Sequence, residues 1–340
     1  MRPKICIIDA GGSLGMQYNL REHTLERADI IAHLFRHIPE LQSKFQIDIV
    51  PLFQGHSYNL TTEHWIELCE TIHQHYEDYD GFVVLHGTST MAYTASFLSF
   101  AFQQLDKPIV FTGSILPLEE LGSEARSNII HSCMVASMDI AEVVIVYGTS
   151  ILRANRTTKV EESYHSVFGS PNLPPLGSIK RPIHLSDHRK KRRKRKLLYK
   201  PECNPNVLVL RLTPGMDADS LFSLATTSKK AIILEAYGAG VFPNTYLSVL
   251  KKLIQNTIPV VLASQMHQPI ATPFTYNYDA DLHESSLIFG FDMTIEALVA
   301  KLMWVMHDTQ IPLLIKKKME TNLAEEVSQT LLDIAPQRKF

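Results

Sequence analysis

Long apolar runs are missing from this 340-residue chain, and with them any segment able to cross a bilayer as a helix. Cysteine is scarce. Cys6, Cys69, Cys133 and Cys203 lie far apart and form no CxxC pair. That argues against a disulfide framework and for reduced thiols in a cytoplasmic compartment. There is no HExxH or comparable spacing. His73 and His75 in HQHYE, and His283 beside Glu284, read as surface or helix residues, so neither metal nor cofactor is expected. The glycine pattern is not GxGxxG, which weakens any dinucleotide reading. Net charge is also small, at −2, so the molecule as a whole is not an obvious polyanion binder. The opening MRPKICIIDAGG enters a strand pattern directly and shows no secretory signal.

What is present is a hydrophobic share of 45% and enough length for two domains. Strand-like runs alternate with helical ones. KICIID (4–9), FQIDIVPL (45–52), GFVVLHG, PIVFTG and EVVIVYG read as strands. LERADIIAHLFRHI (25–38), TTEHWIELCETIHQHY (61–76), 90–105 and 123–138 carry helical spacing, with Thr61 or Thr62 as N-cap of the second. This order predicts an α/β fold with a mostly parallel sheet covered by helices on both faces. The alternation lapses over 151–206, through a proline-rich SPNLPPLG. It resumes with VLVLRL (207–212), AIILEAYG (231–238), a helix at 244–256, PVVLASQ (259–265) and a helix near 294–307. The expected division is an N-terminal α/β domain at 1–180, a linker at 181–206 and a C-terminal α/β domain at 207–340. Eight of the 33 basic residues form RKKRRKRK at 189–196, leaving the rest acidic at 25 against 35. A solvated, mobile loop is the plain expectation for that run, and nucleic acid is not an expected partner. The tail, IKKKMETNLAEEVSQTLL, reads as a solvated helix.

Ligands of such sheets sit at the carboxyl ends of the strands. Two strand-end loops stand out there. In DAGGSLGM (9–16), Gly11 and Gly12 permit close backbone approach and positive φ, and Ser13 presents a hydroxyl. The other is HGTSTMAYTASFLSF, with a cluster of hydroxyls. Together with LRANRTTKV (152–160), SPNLPPL, TGSILPLEELGSEARSNI (112–129), LEAYGAGVFPN (234–244) and FDMTIEALVAKL (291–302), they resemble the asparaginase/glutaminase family. Within it, the pattern is similar to the bacterial type I cytoplasmic L-asparaginases, across roughly 1–305. The resemblance implies a two-domain fold, with the site in the larger N-terminal parallel-sheet domain and a smaller C-terminal α/β domain. It also implies a homodimer or homotetramer in which a neighbouring subunit finishes the site.

The chemistry implied by the resemblance is hydrolysis of the side-chain amide of L-asparagine to L-aspartate and ammonia. A hydroxyl nucleophile forms an acyl-enzyme that water cleaves. Ser13 stands at the nucleophile position, and Thr88 and Lys159 stand in the activating set. The family Asp of HGTDT is Ser89 here, and the first Thr of its glycine loop is Ala10. Ser57, Tyr58, Thr88 and Ser89 are the expected substrate contacts, and Asn59 replaces another family Asp. Without the Asp, Lys159 is expected to lack a stabilising anion. The resemblance also implies that this Asp pairs with the substrate's α-ammonium, and a substrate cation that loses its buried charge partner forfeits on the order of 3–5 kcal/mol. Asp9 is a candidate replacement carboxylate, although a turn cap suits it better. The family's mobile loop looks shortened, with the chain entering a helix almost at once and Tyr18 its nearest phenol. Met266 in SQMHQP stands where a regulatory asparagine site has a Cys.

Three functions compete at this stage: an amidohydrolase, a weakened or inactive family member that binds a ligand or partner, and an amidotransferase subunit. The last usually carries an extra N-terminal domain and ranks third.

Overall fold

The structure is a computed structural model and describes residues 2–19, 24–27, 29–162, 166–228, 230–273 and 287–334. Two compact units divide the chain at Met1–Pro201 and Glu202–Phe340, so residues 181–201 count with the first unit. His283 and Glu284 lie outside the described residues.

The first unit runs through β1 (Lys4–Asp9), β2 (Met16–Asn19), β3 (Thr24–Arg27), α1 (Ile30–His37), α2 (Glu40–Lys44) and β4 (Gln46–Pro51). Next come α3 (Thr62–Gln74), β5 (Gly81–Leu85), α4 (Met91–Ala101), β6 (Phe102–Gln103), β7 (Ile109–Thr112), α5 (Ala125–Ala136), β8 (Val143–Tyr147) and β9 (Ser150–Arg153). Short strands β10 (Thr158–Lys159), β11 (Phe168–Gly169), β12 (Gly177–Ser178), β13 (His184–Leu185) and β14 (Leu198–Tyr199) complete it. Eight strands form one sheet in the order β13-β12-β9-β8-β7-β5-β1-β4. From β4 to β8 all pairs are parallel, and β9, β12 and β13 extend the far edge antiparallel.

Continuous apolar runs make these strands because both faces are covered. Ile5, Ile7, Val83, Leu85, Val110 and Val144 pack with Leu34, Leu41, Ile129 and Cys133 from α1, α2 and α5. Their alternates Cys6, Ile8, Phe82, Val84 and Phe111 are equally buried. On that side α4 packs against β8, and Trp65 of α3 stacks on Phe97 of α4 at 5.2 Å. In α3, buried Trp65, Leu68, Cys69 and Ile72 follow the i, i+3, i+4, i+7 stripe. Thr61 is its N-cap, in a capping box with His64.

Two expectations need correction here. The helical spacing of 25–38 does not give one helix. Thr24–Arg27 is strand β3, paired antiparallel with β2, and α1 begins only at Ile30. Strand pairing outweighs the helical period there, and a hairpin stands where the chain was expected to enter a helix almost at once. The basic run is solvated over much of its length, as expected, but its first half is tied down. Arg189 donates from Nη2 to Asp139 Oδ2 at 3.0 Å, and the Lys190 amide donates to Glu142 Oε1 at 2.8 Å. Arg192 donates to the carbonyls of Met138 (2.7 Å) and Ala136 (2.9 Å). Acidic side chains and open carbonyls around α5's end pin the first half of the run, while residues 193–196 are exposed.

The second unit comprises β15 (Val207–Arg211), α6 (Ala218–Ser228), β16 (Ala231–Ala236), α7 (Leu247–Gln255), β17 (Val260–Ser264), β18 (Ile288–Phe289), α8 (Ile295–Asp308), α9 (Pro312–Met319) and α10 (Gln329–Ile334). Its four strands form a parallel sheet in chain order. Among the described residues, no helix is long and apolar enough to cross a membrane.

The tail is not a solvated helix. It is broken between α9 and α10, and it delivers Glu326 to Lys301 of α8 at 2.5 Å with both side chains fully buried. Lys301 also donates to the carbonyls of Met319 and Thr321, each at 2.7 Å. The amide of Ala324 donates to Glu326 at 2.6 Å. Burial opposes both charges, but the Lys301 ammonium and these amides still hold the Glu326 carboxyl below its usual range. Glu326→Gln leaves a buried ammonium without its anion. Its expected cost is about 3–5 kcal/mol in urea unfolding of the second unit. Glu325→Gln, at an exposed position, is expected to stay within about 0.5 kcal/mol of the parent. Equal midpoints for the two variants would contradict this role.

Candidate active site

The site begins with glycines. Sheet order puts β1 between β4 and β5, so the loops leaving all three emerge side by side at one edge. Gly11 and Gly12 have φ of 87° and 95°, values that L side chains rarely adopt. A Cβ on Gly11 would lie 2.4 Å from the Gly55 carbonyl oxygen. One on Gly12 would lie 2.6 Å from the Gly87 Cα, and one on Gly87 would lie 2.6 Å from Ser57 Oγ. The Gly12 amide donates to Gly55 O at 2.9 Å. Asp9 is fully buried and accepts from the Gly11 amide at 3.1 Å, so it closes this turn, as its better-suited role foresaw.

Contact between the three loops leaves a hollow with about 360 Å³ of empty space. That space includes open solvent; the cavity proper is about 90 Å³, below the usual range of small-molecule sites. Its walls include Ser13, Ser57, Tyr58, Thr88, Ser89 and Glu162, with Gly12, Gly87, His56 and Ile115 between them. Ser57 and Thr88 are buried, whereas Tyr58 is exposed and stacks on His56 at 5.0 Å. Ser89 is exposed.

Lys159 is not itself a wall residue. It stands behind the wall, where its Nζ donates to Thr88 Oγ1 at 3.1 Å. Glu162 Oε2 lies 2.5 Å from the same Nζ. The expectation that Lys159 lacks an anion is therefore corrected. The charge comes from three residues further along its own chain rather than from position 89. Glu162 is 66% exposed and Lys159 22%, so solvent screens this pair.

The hydroxyl cluster of HGTST has a divided role. Thr88 receives the lysine. Thr90 Oγ1 donates to the Ser57 carbonyl at 2.8 Å and fastens one loop to the next. His86 is fully buried, and burial lowers its pKa to about 4, against the opposing hydrogen bond with Gly87. It stays neutral near pH 7. Its Nδ1 must then carry the proton that meets the Gly87 carbonyl at 2.8 Å, leaving Nε2 to accept from Thr94 Oγ1 at 2.9 Å. The ring thus fixes the backbone on which Thr88 sits.

Behind Ile115, the buried Glu124 accepts from the Ile115 amide at 2.6 Å and from the Tyr147 hydroxyl at 2.5 Å. Asn128 donates to the Gly113 carbonyl at 2.9 Å and accepts from the Gly148 amide at 3.0 Å. Sequence reasoning missed Glu124, Asn128 and Glu162. Only the i, i+3 spacing of Glu162 from Lys159 offered a clue. Tyr18 lies in β2, and its side chain falls outside what is described.

All the expected contacts, Ser13, Ser57, Tyr58, Thr88 and Ser89, line one hollow, and Lys159 joins it through Thr88. Such an arrangement puts the Ser13 hydroxyl in the same hollow as one end of a hydroxyl–amine–carboxylate chain. The chain is similar to known proteins in sequence and fold. The N-terminal domain of asparaginase matches residues 4–191, and the glutaminase/asparaginase C-terminal domain matches 206–319. L-asparaginase 1 of Escherichia coli K12 is 34% identical over 340 aligned positions, covering 96% of this chain and 98% of that protein. The 60 kDa lysophospholipase of Mus musculus is 34% identical over 278 positions, covering 80% of this chain and 49% of that protein. The crystal structure of L-asparaginase I from Vibrio cholerae superposes with a TM-score of 0.87 at 30% identity, covering 96% of this chain and all of that one. With both of its domains matched and a hydroxyl-lined hollow at the strand ends, this chain belongs to the asparaginase family.

Proposed function

We propose that the protein hydrolyses the side-chain amide of L-asparagine to L-aspartate and ammonia, with Ser13 as nucleophile. The observation that carries this reading is the Thr88–Lys159–Glu162 chain reaching the hollow that Ser13 lines. Ser13 Oγ bonds to the amide carbon while its proton passes towards Thr88 and Lys159. The C–N bond breaks and ammonia leaves with that proton. Water then cleaves the Ser13 ester, releasing L-aspartate and restoring the hydroxyl. Ser57, Tyr58 and Ser89 serve as substrate contacts. The hollow is open beside exposed Tyr58, Ser89 and Glu162, which suits completion by a second copy of the chain in a homodimer or homotetramer.

Glu162 takes over the role of the carboxylate missing at Ser89. Because it is exposed, it restores only part of what a buried partner would supply. A screened pair is worth about 0.2–1 kcal/mol, against about 3–5 kcal/mol for a buried one. Ser89 also favours a second reading, a family member that binds the amino acid but turns it over weakly or not at all.

Ammonia release from L-asparagine separates the two. Ser13→Ala is expected to lower kcat by about 10,000-fold, the scale of losing a nucleophile. Wild-type release no faster than that of Ser13→Ala would leave the binding reading. Glu162→Gln is expected to lower kcat/KM by about 2- to 5-fold, matching a screened pair. Adding Ser89→Asp to that variant should restore the loss. An unchanged rate in Glu162→Gln would remove Glu162 from the account.

A further inference from the structure

We propose that His33, His37 and Glu119 form a binding site for a divalent transition-metal ion of the zinc type, outside the hollow. His33 and His37 lie four residues apart on α1, so their rings share one helix face, with centroids 4.7 Å apart. Both rings address a single oxygen. Glu119 Oε1 is 3.2 Å from His33 Nδ1 and 3.7 Å from His37 Nε2. In tetrahedral coordination, with bonds of about 2.0–2.2 Å, neighbouring donors stand about 3.3–3.6 Å apart. The two measured separations fall close to that edge, and all three donor atoms lie within 4.8 Å of one another.

The surroundings suit an ion that reaches the site from solvent. His33 is buried and anchors it, while His37 and Glu119 are about one-third exposed and able to adjust. The other nitrogen of His33, Nε2, is buried with no hydrogen-bond partner among the described residues, so the ring's polar bonding is spent on Glu119. Two imidazoles and one carboxylate leave a fourth position for water. This donor set suits zinc, cobalt, nickel or copper over magnesium or calcium. Glu119 belongs to the segment after β7 that also supplies Ile115 to the hollow. A bound ion would therefore clamp α1 to that segment. Sequence spacing hides the site because Glu119 is remote from the two histidines along the chain.

The test uses the full chain, stripped of metal with a chelator and dialysed against Zn2+, with bound metal counted by elemental analysis. One zinc per chain is expected. His37→Ala and Glu119→Gln each alter a partly exposed side chain and should weaken binding by at least about 10- to 100-fold. Cobalt in place of zinc should give a tetrahedral visible spectrum in the wild type and none in either variant. No zinc retained by the wild type, or equal affinity in wild type and variants, would overturn the proposal.

Discussion

Three loops can meet at the strand ends only because glycine stands at each point of contact. Side chains at Gly11, Gly12 or Gly87 would drive atoms to within 2.4–2.6 Å of backbone or of Ser57. The parallel order β4-β1-β5 sets the loops side by side, and the glycines let them close. Ser13, Ser57 and Thr88 reach one hollow as a consequence of backbone packing rather than side-chain adjustment. The neutral His86 and the Thr90 hydroxyl then lock the arrangement from behind. Preorganisation of this kind lets a hydroxyl act without first paying for loop ordering.

Charge is handled differently in the core and at the site. Lys301 and Glu326 are fully buried and saturated with backbone partners, as are Arg153 and Glu142 nearly so. Such pairs fix a tail or a strand in place, and losing one partner is expensive. Lys159 is instead held by one hydroxyl and one exposed carboxylate. That holding is looser than in the core pairs, since Glu162 is exposed and solvent screens it. The anion beside Lys159 therefore stands at Glu162 rather than at Ser89.

Much of the fold was legible because strands buried on both faces read as unbroken apolar runs. KICIID, GFVVLHG and EVVIVYG all became central strands. Ser13 and Thr88 were singled out through the family resemblance of their loops, and both line the hollow. The misses share a cause, namely that they depend on distant partners. Thr24–Arg27 became a strand only because Met16–Asn19 lies beside it. The basic run was ordered by Asp139 and Glu142, some fifty residues earlier in the chain. The tail was folded inward by Lys301. Glu162 was within reach of a local argument, but its neighbour Glu161 is chemically identical. The folded backbone, not the local sequence, turns Glu162 to the lysine.

The central claim is that close contact between the loops creates the working site. Gly87→Ala tests it most directly, because Gly87 is not a positive-φ glycine and the atoms nearest the added methyl all belong to Ser57. Steady-state ammonia release from L-asparagine, read beside the unfolding midpoint, is the measurement. The account predicts a fall of about 100-fold or more in kcat/KM, the scale of a misplaced reacting group, with the chain still folded. A folded Gly87→Ala protein that works at the wild-type rate would contradict it.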